Sequence, residues 1–391
     1  MAGERLSRYR VVTTLAPGGE RVPLLVERGT GIPCRLATRY TVTMLRPRGL
    51  AASSIAAGLR ALRDAYEWSS LVLGRSLDDV LTAGDELTAQ QIASLAKYMK
   101  QGERGLIAGS VGTDAGRSSV DYNRRWGLVG NFFEWRADWY ALDERRQRGR
   151  QQDIARAKDA VARLFGQHRH KQRPQRLIQP LNDEEWAAVQ GAIALDRTDV
   201  WPDVRVRVRN HTMVYTVAGT GIRSAELLKL RLIDLPHGRT RAIAIVRNPD
   251  DPDDPRRETP EVKTLGRLLP IGEPLAQMLD RYTTESRHPS RSKYLFVGQG
   301  GDPLTPRTMR QIMEHLSRVT GYPLHWHRLR HMYLNRVERD LKDIQNGQTL
   351  LKEVAGWRSE TSAQPYLKLQ RQRDAQEILR GYHDGLYPPS T

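Results

Sequence analysis

The chain has 391 residues, 39% hydrophobic and 27% charged, which is long enough for two folded domains and too apolar to stay disordered. Its formal net charge of +17 points to a polyanionic partner, nucleic acid first, against the plainer reading of a basic surface kept for solubility. No run approaches the ~18 apolar residues of a membrane span. Met1-Ala2-Gly3-Glu4-Arg5 carries no apolar export signal. The single cysteine, Cys34, excludes an internal disulfide and a cysteine-based zinc site. A cytoplasmic protein, close to DNA and away from membranes, is expected.

Residues 8–45 alternate apolar and polar positions, with Tyr9, Val11 and Thr13 before a Pro17-Gly18-Gly19 turn and Val22, Leu24 and Val26 after it. This predicts a β-hairpin or small sheet. From Ala51 the period becomes helical through Ile55, Leu59, Leu62 and Tyr66, with Ser53 or Ser54 as cap. Leu87-Thr88 opens a second helix through Ile92, Leu95 and Met99. A third covers residues 120–140, and a fourth, rich in Arg, covers residues 143–165. Residues 168–180 (HRHKQRPQRLIQP) are basic, proline-containing and aperiodic, and read as a linker. Asn182 followed by Asp183-Glu184-Glu185 then caps the first helix of a second domain. There a helix over residues 204–217 precedes strands at 242–246 and 267–271, separated by an acidic, proline-rich loop at 248–260. Helices return from residue 273, broken by an apolar run at 294–297.

Three clusters in the second half carry chemistry. Gly219-Thr220-Gly221-Ile222-Arg223 turns into a helix with Glu226 one turn on, so a carboxylate can orient a guanidinium aimed at phosphate. By themselves these residues read as a surface Arg–Glu pair. His327-Arg328-Leu329-Arg330-His331 places residues 327, 330 and 331 on one helical face, while Leu329, Met332, Tyr333 and Val337 face the core. Two imidazoles flanking an Arg suit an oxyanion better than a metal, because no Glu follows the first His and no third ligand is near. The third cluster is Ala355-Gly356-Trp357 with Tyr366 in Gln364-Pro365-Tyr366, and alone that tyrosine reads as a half-buried aromatic.

Together and in this order, the clusters resemble the tyrosine recombinase (phage-type integrase) family. Thr220-Gly221-Ile222-Arg223 with Glu226 is similar to its first box, and His327…Arg330-His331 to its second. Gly356-Trp357 stands where most members have Gly-His, and Tyr366 lies nine residues past Trp357, where the family has its nucleophile. Lys263-Thr264…Arg267…Pro270 resembles the family's lysine hairpin, behind a longer acidic insertion (residues 247–261) than usual. The helical region from Thr38 to Phe165 looks like the family's core-binding domain.

The resemblance implies a mostly α fold with a small β-sheet, in which a helical DNA-binding domain precedes a mixed α+β catalytic domain. The expected division is a hairpin segment (1–35, arm or cap), a core-binding domain (36–167), a linker (168–180), a catalytic domain (181–371) and a tail helix for subunit exchange (372–391). It implies that Tyr366 attacks a phosphodiester to leave a 3′-phosphotyrosine, with Arg223 and Arg330 neutralising the phosphate. His327 or His331 takes the phenol proton, Lys263 protonates the departing 5′-oxygen, Glu226 orients Arg223, and Trp357 donates to the phosphate or packs beside Tyr366. No metal or other cofactor is needed. The implied partners are double-stranded DNA and three further copies of the chain in a tetramer on DNA, with accessory DNA-bending proteins left open. Two rival readings stand: a type IB topoisomerase, and a DNA-binding protein with an inactive site. The Leu367–Tyr387 stretch after the nucleophile argues for the recombinase.

Overall fold

The computed structural model describes residues 7–16, 19–83, 87–102, 116–141, 151–171, 179–235, 241–246, 251, 253–256, 259–260, 262, 266–341 and 343–357. Mostly helical, with two small antiparallel sheets among these residues, it agrees with the expected fold class. The chain forms two compact units, Met1–Gln175 and Arg176–Thr391.

In the first unit, strands β1 (Tyr9–Leu15) and β2 (Arg21–Glu27) pair antiparallel as the alternation predicts, with Tyr9 opposite Glu27. The hairpin is built into the core. Tyr9 and Leu25 are buried among the helices, and the Tyr9 ring meets Tyr66 edge to face at 5.4 Å. Glu67 accepts from the Tyr9 backbone N–H at 2.8 Å.

The alternation misleads beyond the hairpin. Residues 35–45 form helix α1 (Arg35–Tyr40) and a π-helical turn (Thr41–Leu45), not strand. The cap of α1 comes from far along the chain: Asp78 accepts from the N–H groups of Arg35 (2.6 Å) and Leu36 (3.0 Å), and from the Tyr66 hydroxyl (2.7 Å). Helix α2 (Ala52–Trp68) begins after Ala51, which offers no side-chain cap, so neither Ser53 nor Ser54 caps it. Asp78 belongs to α3 (Leu77–Thr82), a helix too short for its period to show in the sequence.

Helix α4 (Ala89–Gln101) starts where expected, because Thr88 and Gln91 close a reciprocal capping box. In α5 (Ser119–Ala141) Tyr122, Trp126, Val129 and Phe133 recur at helical spacing and are all buried. Helix α6 (Gln151–Gln167) is clasped to it where the Trp126 indole donates to the Phe165 carbonyl at 2.7 Å and the rings stack at 4.4 Å. The first residues of the predicted linker are fixed rather than aperiodic coil. The Tyr122 hydroxyl donates to the His168 carbonyl, and Asn123 bonds both backbone groups of His170.

The second unit opens with α7 (Asp183–Ala192), capped by a box between Asn182 and Glu185. Helix α8 (Val204–Thr220) is buried on most sides, with Met213, Val214 and Val217 in the core. The Arg205-Val206-Arg207-Val208-Arg209 alternation is helical because Arg207 and Arg209 turn inward and donate to carbonyls, at 2.7 Å to Leu195 and 3.1 Å to Val297. After α9 (Ser224–Lys229), strands β3 (Ala242–Ile245) and β4 (Arg267–Pro270) pair antiparallel. Helices α10 (Glu273–Arg281), α11 (Pro306–Thr320), α12 (Trp326–Asp340) and α13 (Gly347–Ala355) complete the unit. The apolar run at 294–297 lies between two isolated bridges, Tyr294 with Arg231 and Val297 with Pro303, and Leu295 donates its N–H to the Leu230 carbonyl at 2.8 Å. No described helix is long and apolar enough to cross a membrane.

The hairpin's place in the core sets a testable outcome. Leu25→Ala, at a site with 0% exposure, is expected to cost the first unit about 2–5 kcal/mol in urea unfolding of the full chain. Leu15→Ala, on the same hairpin but 58% exposed, should shift stability by no more than about 0.5 kcal/mol. Equal effects would mean that the hairpin is not part of that core.

Candidate active site

Arg223, Glu226, Arg330, His327, His331 and Trp357 all fall within the second unit's described residues; Lys263 and Tyr366 lie outside them. Arg223 is the N-cap of α9, just after Gly221, whose backbone is left-handed (φ 63°). A side chain at 221 is excluded twice over, since its Cβ would fall 2.3 Å from the Tyr333 ring. Glu226, 2% exposed, accepts from the Arg223 backbone N–H at 2.8 Å and sits 3.6 Å from its guanidinium. The sequence thus places this pair correctly, though burial rather than surface pairing holds it.

Glu226 has a second, closer partner. Arg267 on β4 forks it, with both guanidinium nitrogens 3.1 Å from the two carboxylate oxygens. Arg267 also donates to the Val354 carbonyl at 3.0 Å. In the sequence Arg267 stands out only as part of the hairpin pattern, and its tie to Glu226 does not show. The signal was present, an Arg that starts a strand beside an otherwise apolar edge, but its partner is 41 residues away.

On α12, Arg330 is 1% exposed and among the largest fully buried side chains. It donates to the Gly221 carbonyl and, at 2.9 Å, to the Ala355 carbonyl. Arg223 donates to the same Ala355 oxygen at 3.3 Å. Two guanidiniums from separate elements therefore meet one acceptor at the C-terminal end of α13, where the helix leaves carbonyls without intrahelical partners and its dipole favours cations.

His327 and His331 lie one turn apart on α12, rings 4.4 Å apart and nearly perpendicular. His327 keeps an exposed face and His331 is buried. Burial, then the neighbouring charges of Arg330 and His325, pulls His327 below the ordinary imidazole range. Burial, with His327 and Arg330 close by, pulls His331 down to about 3. Neutral imidazoles result at physiological pH, able to accept a proton. No cluster of three metal-ligating side chains occurs among the described residues. Arg328, between them in sequence, faces elsewhere. It pairs with Glu185 and donates to the carbonyls of Gln179 and Pro180, which fastens the end of the predicted linker.

Trp357 is buried with Leu334, Leu351 and Ala355, between α12 and α13. Ahead of it Gly356 has φ 63°, and a Cβ there would come within 2.5 Å of the Arg267 guanidinium. The backbone passes that close because residue 356 lacks a side chain.

The guanidinium cluster and the two imidazoles thus come together within the second unit. Residues 200–373 match the phage integrase family, so the second unit carries a domain similar to that family's. The protein named Tyrosine recombinase XerC of Staphylococcus epidermidis (strain RP62A) is 25% identical over 205 residues, covering 50% of this chain and 60% of the relative. The chain thus spans less than two thirds of that relative. The protein of the same name in Staphylococcus haemolyticus is 22% identical over 289 residues, 72% of this chain and 82% of that one. Among solved structures, the XerH site-specific recombinase bound to a palindromic difH substrate has a TM-score of 0.54 at 16% identity, covering 88% of this chain and 85% of that one. The Tn1549 transposon integrase in complex with a circular intermediate DNA has a TM-score of 0.53 at 17% identity, covering 87% and 98%. These two likenesses establish the fold.

Gly356→Ala tests the packing at the cluster. It should force Arg267 off Glu226 and lower the second unit's stability by at least about 1–2 kcal/mol, the cost of left-handed backbone for an L-residue, measured by thermal unfolding. An unchanged midpoint would show that the approach of Arg267 to residue 356 is not needed.

Proposed function

We propose that the protein is a site-specific DNA recombinase that cuts and rejoins strands through a 3′-phosphotyrosine on Tyr366. The observation that carries this reading is the meeting of Arg223 and Arg330 on the Ala355 carbonyl, eleven residues ahead of Tyr366 in the chain. Guanidiniums so gathered, and so oriented by Glu226 and Arg267, suit the non-bridging oxygens of a phosphodiester, on which charge builds as phosphorus is attacked.

The phenol oxygen of Tyr366 attacks the scissile phosphorus, and the bond from phosphorus to the 5′-oxygen breaks. The phenol proton passes to a neutral imidazole, His327 or His331, since a free phenol with a pKa of about 10 needs a base. Lys263 gives a proton to the departing 5′-oxygen. That hydroxyl, or one from a partner strand, then attacks the phosphotyrosine and releases Tyr366, so the phosphodiester count is conserved and no nucleotide is consumed. Arg223 and Arg330 supply the positive charge that metal ions give many nucleases, hence no metal is required. Trp357 supports the turn that leads from α13 toward Tyr366.

Tyr366→Phe is expected to keep DNA affinity and to form no denaturation-resistant adduct on a nicked suicide substrate. Persistent adduct would pass the role to another residue, with Tyr382 and Tyr387 tested next. Strand exchange on full sites separates a recombinase from a topoisomerase, which would relax supercoils and exchange nothing.

The active assembly in this reading is a tetramer on double-stranded DNA, with residues 372–391 docking on a neighbouring subunit. Leu379, Ile378 and Ala375 recur at helical spacing there, and a lone helix of that length needs a surface to cover. Deleting residues 372–391 should spare binding to one half-site while abolishing cooperative binding to a full site and strand exchange. Cooperative binding that survives the deletion would contradict the docking.

A further inference from the structure

The acidic insertion at residues 247–261 reads from sequence as a solvated loop, yet several of its charged residues are buried. Asp251 and Asp254 are each 3% exposed and Arg256 is 5% exposed. Arg256 forks Asp254 with two bonds of 2.8 Å, and donates to the carbonyls of Leu228 (3.0 Å) and Leu304 (2.9 Å). Its guanidinium lies 4.4 Å from the centre of the Tyr294 ring. The Tyr294 hydroxyl reaches Asp251 at 2.6 Å and Asp254 at 3.0 Å. Lys293 pairs with Asp251 at 2.8 Å, and Lys229, on α9, lies 3.4 Å from Asp254. Burial alone would raise the Asp254 carboxyl, but the bonds and charge of Arg256 hold it at about 2, so it stays ionised. Ionised groups withdrawn from water are costly unless fully paired, and such a set holds one arrangement against alternatives.

Its position suggests which arrangement. Strands β3 and β4 are joined by residues 246–266, 21 residues, and the insertion is pinned inside that connection. One end of the clasp grips α9, through Leu228 and Lys229, the helix that begins at Arg223 and carries Glu226. From Arg256 the chain needs only seven residues to reach Lys263, and Val262, just before it, is buried in the core. A free connection of this length would let the lysine wander; pinning it in the middle leaves a short return to β4. We propose that Asp254, Arg256 and Tyr294 are positioning residues: they fasten the acidic insertion to α9 and so shorten the free length of chain that carries Lys263. This rests on the reading of Lys263 as the acid for the leaving 5′-oxygen.

The test compares cleavage of an ordinary suicide half-site with one whose 5′-bridging oxygen is replaced by sulfur, a leaving group that needs no acid. Lys263→Ala, Tyr294→Phe and Asp254→Asn are measured in the full-length protein, with half-site binding as the control for folding. Tyr294→Phe removes one hydroxyl and leaves Asp251 and Asp254 their cationic partners, so it decides the matter if Asp254→Asn does not fold. Each variant should cleave ordinary DNA about 100-fold more slowly, the loss expected when a group is displaced by about 1 Å, and recover most of that rate on the sulfur substrate. If Lys263→Ala recovers while the clasp variants are equally slow on both substrates, or are as fast as the unaltered protein, the clasp does not position the acid. If Lys263→Ala itself fails to recover, the assignment of the acid falls, and the positioning role with it.

Discussion

The carbonyl oxygens at the C-terminal end of α13 hold three guanidinium groups. Arg223 and Arg330 share Ala355, and Arg267 takes Val354. A helix end always presents carbonyls that lack intrahelical partners, and the aligned peptide dipoles make that end attractive to cations. Here those acceptors gather side chains from the α8–α9 turn, from β4 and from α12. Each guanidinium is then tied a second time: Arg223 and Arg267 to Glu226, Arg330 to Gly221. The arrangement tolerates little variation, since both connecting glycines lie against a neighbouring side chain, Gly221 against Tyr333 and Gly356 against Arg267.

That constraint changes how the net charge of +17 should be understood. Much of the arginine in the second unit is turned inward. Arg207, Arg209, Arg256, Arg287 and Arg328 all donate to backbone carbonyls. The planar fork makes this possible, because several carbonyls can be satisfied at once by one rigid group that stays charged. A basic composition therefore does not report surface charge alone in this protein, since some of the arginines form an internal scaffold of guanidinium clamps. Composition alone does not separate the two.

Elements with a local cause were legible in the sequence. Thr88 with Gln91 and Asn182 with Glu185 are boxes three residues wide, and the helices they start were placed to within a residue or two. The Arg223–Glu226 turn and the α12 face belong to the same kind, since their partners are a turn away. What failed depended on distant residues. Helix α1 is capped by Asp78, some 40 residues on, so nothing near it announces a helix. Ser53 and Ser54 are good caps by type, yet the helix starts before them, at Ala52, with Ala51 in the cap position. The acidic stretch has the composition of a loop, and its pairing with distant residues, Tyr294, Lys293, Leu228 and Leu304 among them, makes it part of the interior. The Glu226–Arg267 fork escaped for the same reason.

The imidazole pair completes the electrostatic logic of the site. A cluster of fixed positive charges binds phosphate well but offers no base, and a guanidinium does not release its proton at any relevant pH. The same cations, with burial, keep His331 from being protonated, so the cost of crowding positive charge is converted into a neutral nitrogen beside it. An acidic residue in that position would pair with Arg330 and compete with the phosphate; a lysine would add repulsion without a lone pair. Imidazole is a side chain that stays uncharged among guanidiniums and still keeps a lone pair. The close edge-to-face contact of His327 with His331 works in the same direction, since protonating one ring would place a like charge 4.4 Å from the other.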